Sequence, residues 1–426
     1  MKRRPQYGKH AADSPSRRPR REQRDKWPLS PEHLAPRTFD LPEGPLPEIV
    51  VKSPTRSVAI FRKRVGDYGN KAQHGDVVQA VLPSGQVLGC GLFNPRAEAV
   101  LKMLTWDDEI PDANWWQARL KRAVDIRSDL ALRKQSNACR LIHGEADGLP
   151  GVVVDLFDNI LSLEAYSLGM FQRAEAMIKE LMYHTRAKHW YVRSAPNTLQ
   201  TEGYDHPGHA STKVPAKCRI EEHGLNYEVD FATGHKTGFF CDQRANRLRL
   251  REFCAGKTVL DACCYSGGFS LNAIAAGAKE VTGVDLDENA VAMAKRNANL
   301  NSGQPRFIHA DAFAYMRDMQ RNGKTFDVVV LDPPKLILSR DEADLGHRKY
   351  YDFNRLAASL VAPNGILVTC SCSGLLSTPE FVKMVTAAIP FARQPQLLAL
   401  TGADADHPVS LNVSETEYLK CAWLRL

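Results

Sequence analysis

Through the second half of the chain, short apolar runs alternate with stretches of helical periodicity. Residues 259–262, 281–284, 306–309, 326–331 and 366–370 are short, mostly apolar and read as strands, and 418–426 reads as a last strand. Between them, 269–276, 288–300, 315–321, 341–360 and 379–388 carry the periodicity of helices. Runs this short and this apolar fit strands buried on both faces. Strands that alternate with helices predict a mostly parallel, doubly wound α/β sheet. Such sheets bind ligands beyond the carboxyl ends of their strands.

The first half has a different pattern. Residues 50–51, 57–61, 77–81, 87–91 and 101–104 are short strand candidates, and Pro83-Ser84-Gly85 supplies a hairpin turn. This predicts a small β-barrel. Next come a helix over 114–133 with Trp116, Leu120, Ala123 and Ile126 on one face, and strands at 152–155 and 160–163. A helix at 172–185, a strand at 189–193 and a polar loop at 199–217 complete a small α+β unit. Residues 218–232 read as a hairpin turned at His223-Gly224, leading to a helix over 243–253. Asp242 reads as that helix's N-cap, and Arg244, Arg247, Arg249 and Arg251 as its solvated face. The division expected is 1–45, 46–108, 109–217 and 218–426.

Charge sharpens the first of these segments. Residues 1–26 hold ten Lys/Arg against three Asp/Glu, which accounts for the whole net charge of +7. With no apolar periodicity, 1–45 is expected to be a disordered basic tail, ending in the linker-like 41–47. A basic arm attracts phosphates. The ten cysteines include no Cys-x-x-Cys pair, so neither a zinc site nor any other metal site is expected. His143, Glu145 and Asp147 alternate in a loop and read as turn formers rather than ligands. No run of roughly 18 apolar residues is present, so no membrane partner is expected, and the N-terminus lacks a secretory signal. The expectation is a cytoplasmic protein.

Chemistry concentrates in residues 257–288. A strand, the turn Ser266-Gly267-Gly268, a helix and a second strand ending in Asp285 form a βαβ unit. An acid at that second strand tip accepts ribose hydroxyls in such units. The glycine spacing is not that of a dinucleotide site. Asp261, Asp285, Asp311, Asp332 and Cys372 all fall at or near strand ends.

Asp261 to Gly268, Asp285, Asp311 and Asp332-Pro333-Pro334-Lys335 together resemble class I S-adenosylmethionine-dependent methyltransferases. More narrowly, GHKTGFFCDQR (234–244), LDPPK (331–335), SCSG (371–374) and DHP (406–408) resemble the bacterial ribosomal large-subunit RNA cytosine-5 methyltransferase I group. HGEADGLPG (143–151) is similar to a motif in that group's central domain. The resemblance covers about residues 50–426. It implies a PUA-type RNA-binding barrel at 46–108, a central α+β domain and a class I methyltransferase domain. S-adenosyl-L-methionine is the implied cofactor and large-subunit ribosomal RNA the implied partner, while a homodimer is left open. The barrel departs from the family in lacking a His-Pro-Trp sequence near 61–66.

The resemblance also implies roles. Cys372 matches the nucleophile that adds to C6 of cytosine, and Asp332 would bind the base edge. Cys370 is the alternative thiol. Pro333 and Pro334 would stiffen the loop against the base, and Lys335 would meet phosphate or favour the thiolate. Asp285 would hold the cofactor ribose, Asp311 the adenine region, and Asp261 and Gly267 the methionine end, with Gln243 reaching in from the preceding loop and Tyr265 and Asp332 also at the cofactor. Cys263 and Cys264 read as core or turn residues. The base must leave its stack to be reached. Uridine-5 or guanine-N7 methylation, and a non-catalytic RNA-binding assembly factor, remain alternatives.

Overall fold

The computed structural model of this protein describes residues 28–68, 72–231 and 237–426. The basic run at 1–26 and the start of the 234–244 motif lie outside them. Residues 28–45 depart from the expected disorder. They run along the body of the protein, with Leu29 N donating to Gly203 O at 2.8 Å and Arg37 N to Gln172 O at 2.7 Å. Arg37 pairs with Asp76, and Phe39 stacks on Trp116 with ring centroids 5.0 Å apart. These contacts are distant in sequence, so local composition gave no sign of them.

The strands Glu48–Val50, Ala59–Phe61, Val77–Val81, Val87–Phe93 and Ala99–Met103 form one five-stranded sheet. Its first two strands in sequence, Glu48–Val50 and Ala59–Phe61, lie at opposite edges. A bridge between Val51 and Val65 and the bond from Gly66 N to Val50 O draw the edges together. Ile49, Ile60, Val78, Phe93 and Leu101 fill the space inside.

A second five-stranded sheet comprises Ala138–His143, Val152–Phe157, Ile160–Ala165, His189–Ser194 and His209–Ala210. The helices Ala113–Asp129 and Ala174–Thr185 pack with it, burying Trp116, Leu120, Met177 and Leu181. Asp112 caps the first helix by accepting from Trp115 N at 2.8 Å.

The third sheet is the doubly wound one. Its strands are β1 (Thr258–Ala262), β2 (Glu280–Asp285), β3 (Arg306–His309), β4 (Phe326–Leu331), β5 (Val361–Ser371), β6 (Gln396–Thr401) and β7 (Lys420–Arg425). They lie in the order β3-β2-β1-β4-β5-β7-β6. Strands β1 to β5 run parallel, and β7 runs antiparallel to both β5 and β6. Strand β6 was not expected. Its residues Leu397, Leu398 and Leu400 are exposed and show no alternation. The order reverses at β1 and β4, which opens the crevice where a ligand is expected.

The arginines of the Arg244–Leu250 helix correct another expectation. Arg244 is fully buried, paired with Asp404 at 2.9 Å and Asp406 at 2.5 Å. Arg247 is buried too, gripping both carboxylate oxygens of Glu222 at 2.7 and 2.6 Å. Arg251, just past the helix, donates to Asn272 Oδ1 at 2.7 Å and to His223 O at 3.1 Å, so three of the four arginines bind this segment into the protein. Asp242 does not cap that helix either; its Oδ2 accepts from the Tyr418 hydroxyl at 2.6 Å.

Asp406, in the DHP motif, joins the second and third sheets. It accepts from Arg140 N at 2.9 Å and from Arg244, and lies 2.8 Å from His407 Nδ1. Arg127 bonds the Asp406 carbonyl at 2.8 Å and grips both oxygens of Asp147 at 2.7 and 2.8 Å. Asp147 is thus structural, in keeping with the turn-forming reading of its motif.

Candidate active site

The parallel register sets the site. Leu331 of β4 pairs with Thr369 of β5, so Asp332 leaves one strand where Cys370 still lies in the next. Cys372 follows one residue past the end of β5. Its Sγ lies 4.0 Å from the carbonyl oxygen of Pro333. The structure therefore brings the two predicted reactive residues to adjoining strand tips.

Asp332 is held from two sides. Its backbone N donates to Ala262 O at 3.3 Å, tying it to the end of β1. Its Oδ2 accepts from Gln243 Nε2 at 3.1 Å. Burial, with the nearby carboxylates of Asp242 and Asp261 adding to it, raises the Asp332 carboxyl to about 7, and the Gln243 bond opposes the rise. A carboxyl at this value shares its population between acid and carboxylate near neutrality. Gln243 was expected to reach the cofactor. Its amide also joins two side chains, since its Oε1 accepts from Asn246 Nδ2 at 2.6 Å.

Cys370 differs sharply from Cys372. It is fully buried opposite Cys421 of β7. The hydrogen bond with Cys421 and burial hold its thiol well above the ordinary value. It packs with the core between the sheet and its helices. Cys372 is only half-buried.

The carboxylates expected at the cofactor converge around one point. Asp285, Asp332, Asp261 and Asp311 all act electrostatically on Cys263, although burial is the main cause of its raised thiol. Asp261 is fully buried and accepts at Oδ2 from Ser270 N at 2.9 Å and from Ser270 Oγ at 2.7 Å. Its Oδ1 is buried without a hydrogen-bond partner among the described residues. Burial raises this carboxyl to about 6. A buried, unsatisfied carboxylate oxygen is costly unless a ligand donates to it. Asp285 accepts from Tyr265 N and Asp287 N, both at 2.9 Å, which shapes the turn after β1 against the end of β2. Tyr265 and Cys263 take φ of 45° and 64°, so that turn is strained. The Tyr265 ring meets Phe240 edge-on at 5.0 Å. Asp311 is exposed and caps the helix Ala312–Arg321, accepting from Ala314 N at 2.7 Å.

Gly267 has a reason other than room for a ligand. Its φ is 80°, and a Cβ there would meet Phe307 Cζ at 2.8 Å. A Cβ on Gly268 would meet Arg247 at 2.6 Å. Both glycines answer to packing beneath the turn. An S-adenosylmethionine molecule fits the remaining chemistry, with Asp261 Oδ1 awaiting a donor and Asp285 at the tip of β2.

Lys335 and Pro334 are exposed, while Pro333 is buried. Lys420, a buried cation at the start of β7, interacts electrostatically with Cys372 and is absent from the residues expected at the site. The signal was a single lysine in the apolar run of the last strand. Ser373 is a second addition. Its Oγ lies 3.0 Å from the Tyr350 hydroxyl and accepts from Ile337 N at 3.3 Å, holding the loop after β5 to the one after β4.

A family model described as S-adenosylmethionine-dependent methyltransferase matches residues 141–393. A curated relative from Shewanella frigidimarina, named ribosomal RNA large subunit methyltransferase I, is 37% identical over 359 residues, covering 83% of this chain and 90% of its own. One of the same name from Enterobacter sp. is 36% identical, covering 85% and 93%. Among solved structures, a protein from Streptococcus mutans assigned as a methyltransferase dependent on S-adenosylmethionine superposes with a TM-score of 0.75. It is 21% identical and covers 89% of this chain and 100% of its own. Another methyltransferase, complexed with SAH, superposes with a TM-score of 0.73 at 20% identity, covering 89% and 99%. These two likenesses extend the shared fold across all three sheets.

Proposed function

This chain belongs to the S-adenosylmethionine-dependent methyltransferases, in the group whose curated members are named ribosomal RNA large subunit methyltransferase I, and on that premise we propose that it forms 5-methylcytosine in large-subunit ribosomal RNA. The observation that carries the cytosine reading is the placement of Cys372 beside the Asp332-Pro333 turn. C5 of cytosine is a weak nucleophile and needs a covalent partner at C6 before it attacks a methyl group. Bound S-adenosylmethionine would supply that methyl as an electrophile.

Cys372, as thiolate, adds to C6. Asp332, in its acid form, donates a proton to N3, so that the ring's electrons gather at C5. After transfer a base takes the C5 proton, the C6–S bond breaks, Cys372 leaves as thiolate and the N3 proton returns to the Asp332 carboxylate. Asp261 and Asp285 would hold the donor, and Asp311 the adenine side. Pro333 and Pro334 stiffen the turn against the base, and exposed Lys335 is free to meet phosphate. The sheet of residues 46–108 is read as a PUA-type RNA-binding unit and 109–217 as the central domain that joins it to 218–426. The reading places the enzyme in the cytoplasm and leaves a homodimer as a property to measure. Among the described residues no helix is long and apolar enough to cross a membrane.

Bisulfite sequencing of ribosomal RNA from a strain carrying Cys372→Ala tests the reading. One large-subunit cytosine should lose its protection. If no cytosine changes relative to the parent strain, the cytosine assignment is wrong.

A further inference from the structure

The first turn of β7 places a lysine where an apolar side chain would be expected. Lys420 is 2% exposed and sits opposite Ser371 in the β5–β7 register. Its Nζ donates to the carbonyl oxygen of Ser373 at 2.8 Å. That carbonyl belongs to the residue after Cys372. Among the described residues Lys420 forms no ion pair with a carboxylate. Two acids lie near enough to influence it, and both are exposed and engaged elsewhere. Glu417 accepts from Thr378 Oγ1 at 2.7 Å, and Glu380 accepts from Ser377 in a capping box.

A buried ammonium without a carboxylate partner is unfavourable unless another charge compensates it. The remaining group acting on it is Cys372, which Tyr350 and Tyr418 face in turn. The tyrosines are both raised by burial, so they stay neutral near pH 7 to 8. Asp242 is bonded to Tyr418, and Asp332 to Gln243.

We propose that Lys420 is a positioning residue for the transfer reaction, its ammonium lowering the energy of the Cys372 thiolate while its bond to Ser373 fixes the loop that carries the thiol. The inference rests on the reading of Cys372 as the nucleophile. It moves the activating cation from exposed Lys335 to a residue inside the protein. Burial brings the Lys420 ammonium down to about 8, while Glu417, the Cys372 thiolate and Glu380 work in the other direction. The thiol and the ammonium then titrate as a pair, each proton loss making the other harder.

The test is the pH dependence of iodoacetamide alkylation at Cys372 in the full chain, resolved by peptide mass spectrometry. Half-buried Cys218, whose Sγ contacts Phe157 O at 3.9 Å, serves as an internal reference. In the parent protein the profile should be broader than a one-proton curve. Lys420→Met should give a one-proton curve with its midpoint at higher pH, and alkylation at pH 7 should slow about tenfold if that midpoint rises by about one pH unit. Lys420→Arg, which keeps a permanent charge, should restore the rate at pH 7 and also give a one-proton curve. Cys218 should be unmoved in both. An unchanged Cys372 profile in folded Lys420→Met overturns the inference. If Lys420→Met does not fold, an Arg variant with the parent's broad profile overturns it instead. Retained methyl transfer in Cys372→Ala would count against the nucleophile, whereas the alkylation profiles report on Lys420 alone.

Discussion

Gln243 Nε2 donates to Asp332 Oδ2 at 3.1 Å, across 89 residues of sequence. The bond favours the carboxylate and so opposes the burial that brings Asp332 to about 7. If the acid form of Asp332 is the active one, kcat/KM should fall as pH rises through that value. Gln243→Leu removes an opposing interaction, so this alkaline limb should move to higher pH, by roughly one pH unit for a bond to a charged group. Asp332→Asn should abolish the limb and nearly all turnover. A limb that stays in place in Gln243→Leu would mean that another group governs it.

The raised Asp332 carboxyl also makes a statement about stability. The folded Asp332 holds its proton more tightly than an unfolded aspartate, whose ordinary value is 3.8. Its contribution is therefore fully present below that value and is lost as pH rises toward 7. Asp332→Asn should remove this part of the slope. Urea unfolding midpoints at pH 5 and pH 7.5 should differ less in the variant than in the parent.

Cys370 and Cys372 are two residues apart and should behave differently. Cys370→Ala deletes a sulfur from a closed core, costing roughly 1–2 kcal/mol as a small cavity. Its folded fraction should methylate RNA normally. Cys372→Ala, at a half-buried strand tip, should leave the melting temperature near the parent's and remove methyl transfer from labelled donor. The opposite pattern would exchange the roles of the two thiols.

Much of the doubly wound sheet was legible because its strands are local events. Residues 306–309 and 326–331 coincide with β3 and β4, and the reactive residues lie at strand tips as that fold requires. What was not legible depends on distant partners. Arg244 looks like a solvated residue until Asp404 and Asp406 arrive 160 and 162 positions later. Asp242 looks like a cap until Tyr418 occupies its oxygen. Residues 28–45 look disordered by composition because Phe39 finds Trp116 only in the folded chain. Lys420 was visible as a charge in an apolar strand, but its neighbour Ser373 is supplied by β5 and the loop beyond it.

Arg244 gives a direct test of that long-range bonding. Replacing it by Leu leaves Asp406 buried without its guanidinium, which should cost roughly 3–5 kcal/mol. Arg249 lies on the same helix with its guanidinium 5.5 Å from the Trp423 ring centroid. Arg249→Leu should cost less than about 1 kcal/mol. Chemical denaturation of the two variants side by side measures the contrast. Equal, small losses would show that the Arg244 bonds contribute little to folding.

The turn after β1 separates folding from donor binding. Gly267→Ala forces a side chain into a φ of 80° and sets its Cβ 2.8 Å from Phe307 Cζ. Both effects act beneath the turn, so the variant should lose roughly 1–3 kcal/mol of stability. Phe307→Leu in the same chain should recover the steric part and leave the backbone part. Asp285→Ala acts at the tip of β2, where the carboxylate holds Tyr265 N and Asp287 N. Losing an acceptor for ribose hydroxyls should weaken S-adenosylhomocysteine binding by about tenfold or more. Isothermal titration calorimetry on the two variants, each first checked for folding by its melting curve, distinguishes the effects. Folded Gly267→Ala should bind nearly as the parent does, because its added methyl points at Phe307 and not at the crevice. Strong loss of binding in folded Gly267→Ala would return that glycine to the ligand site, where the sequence first placed it.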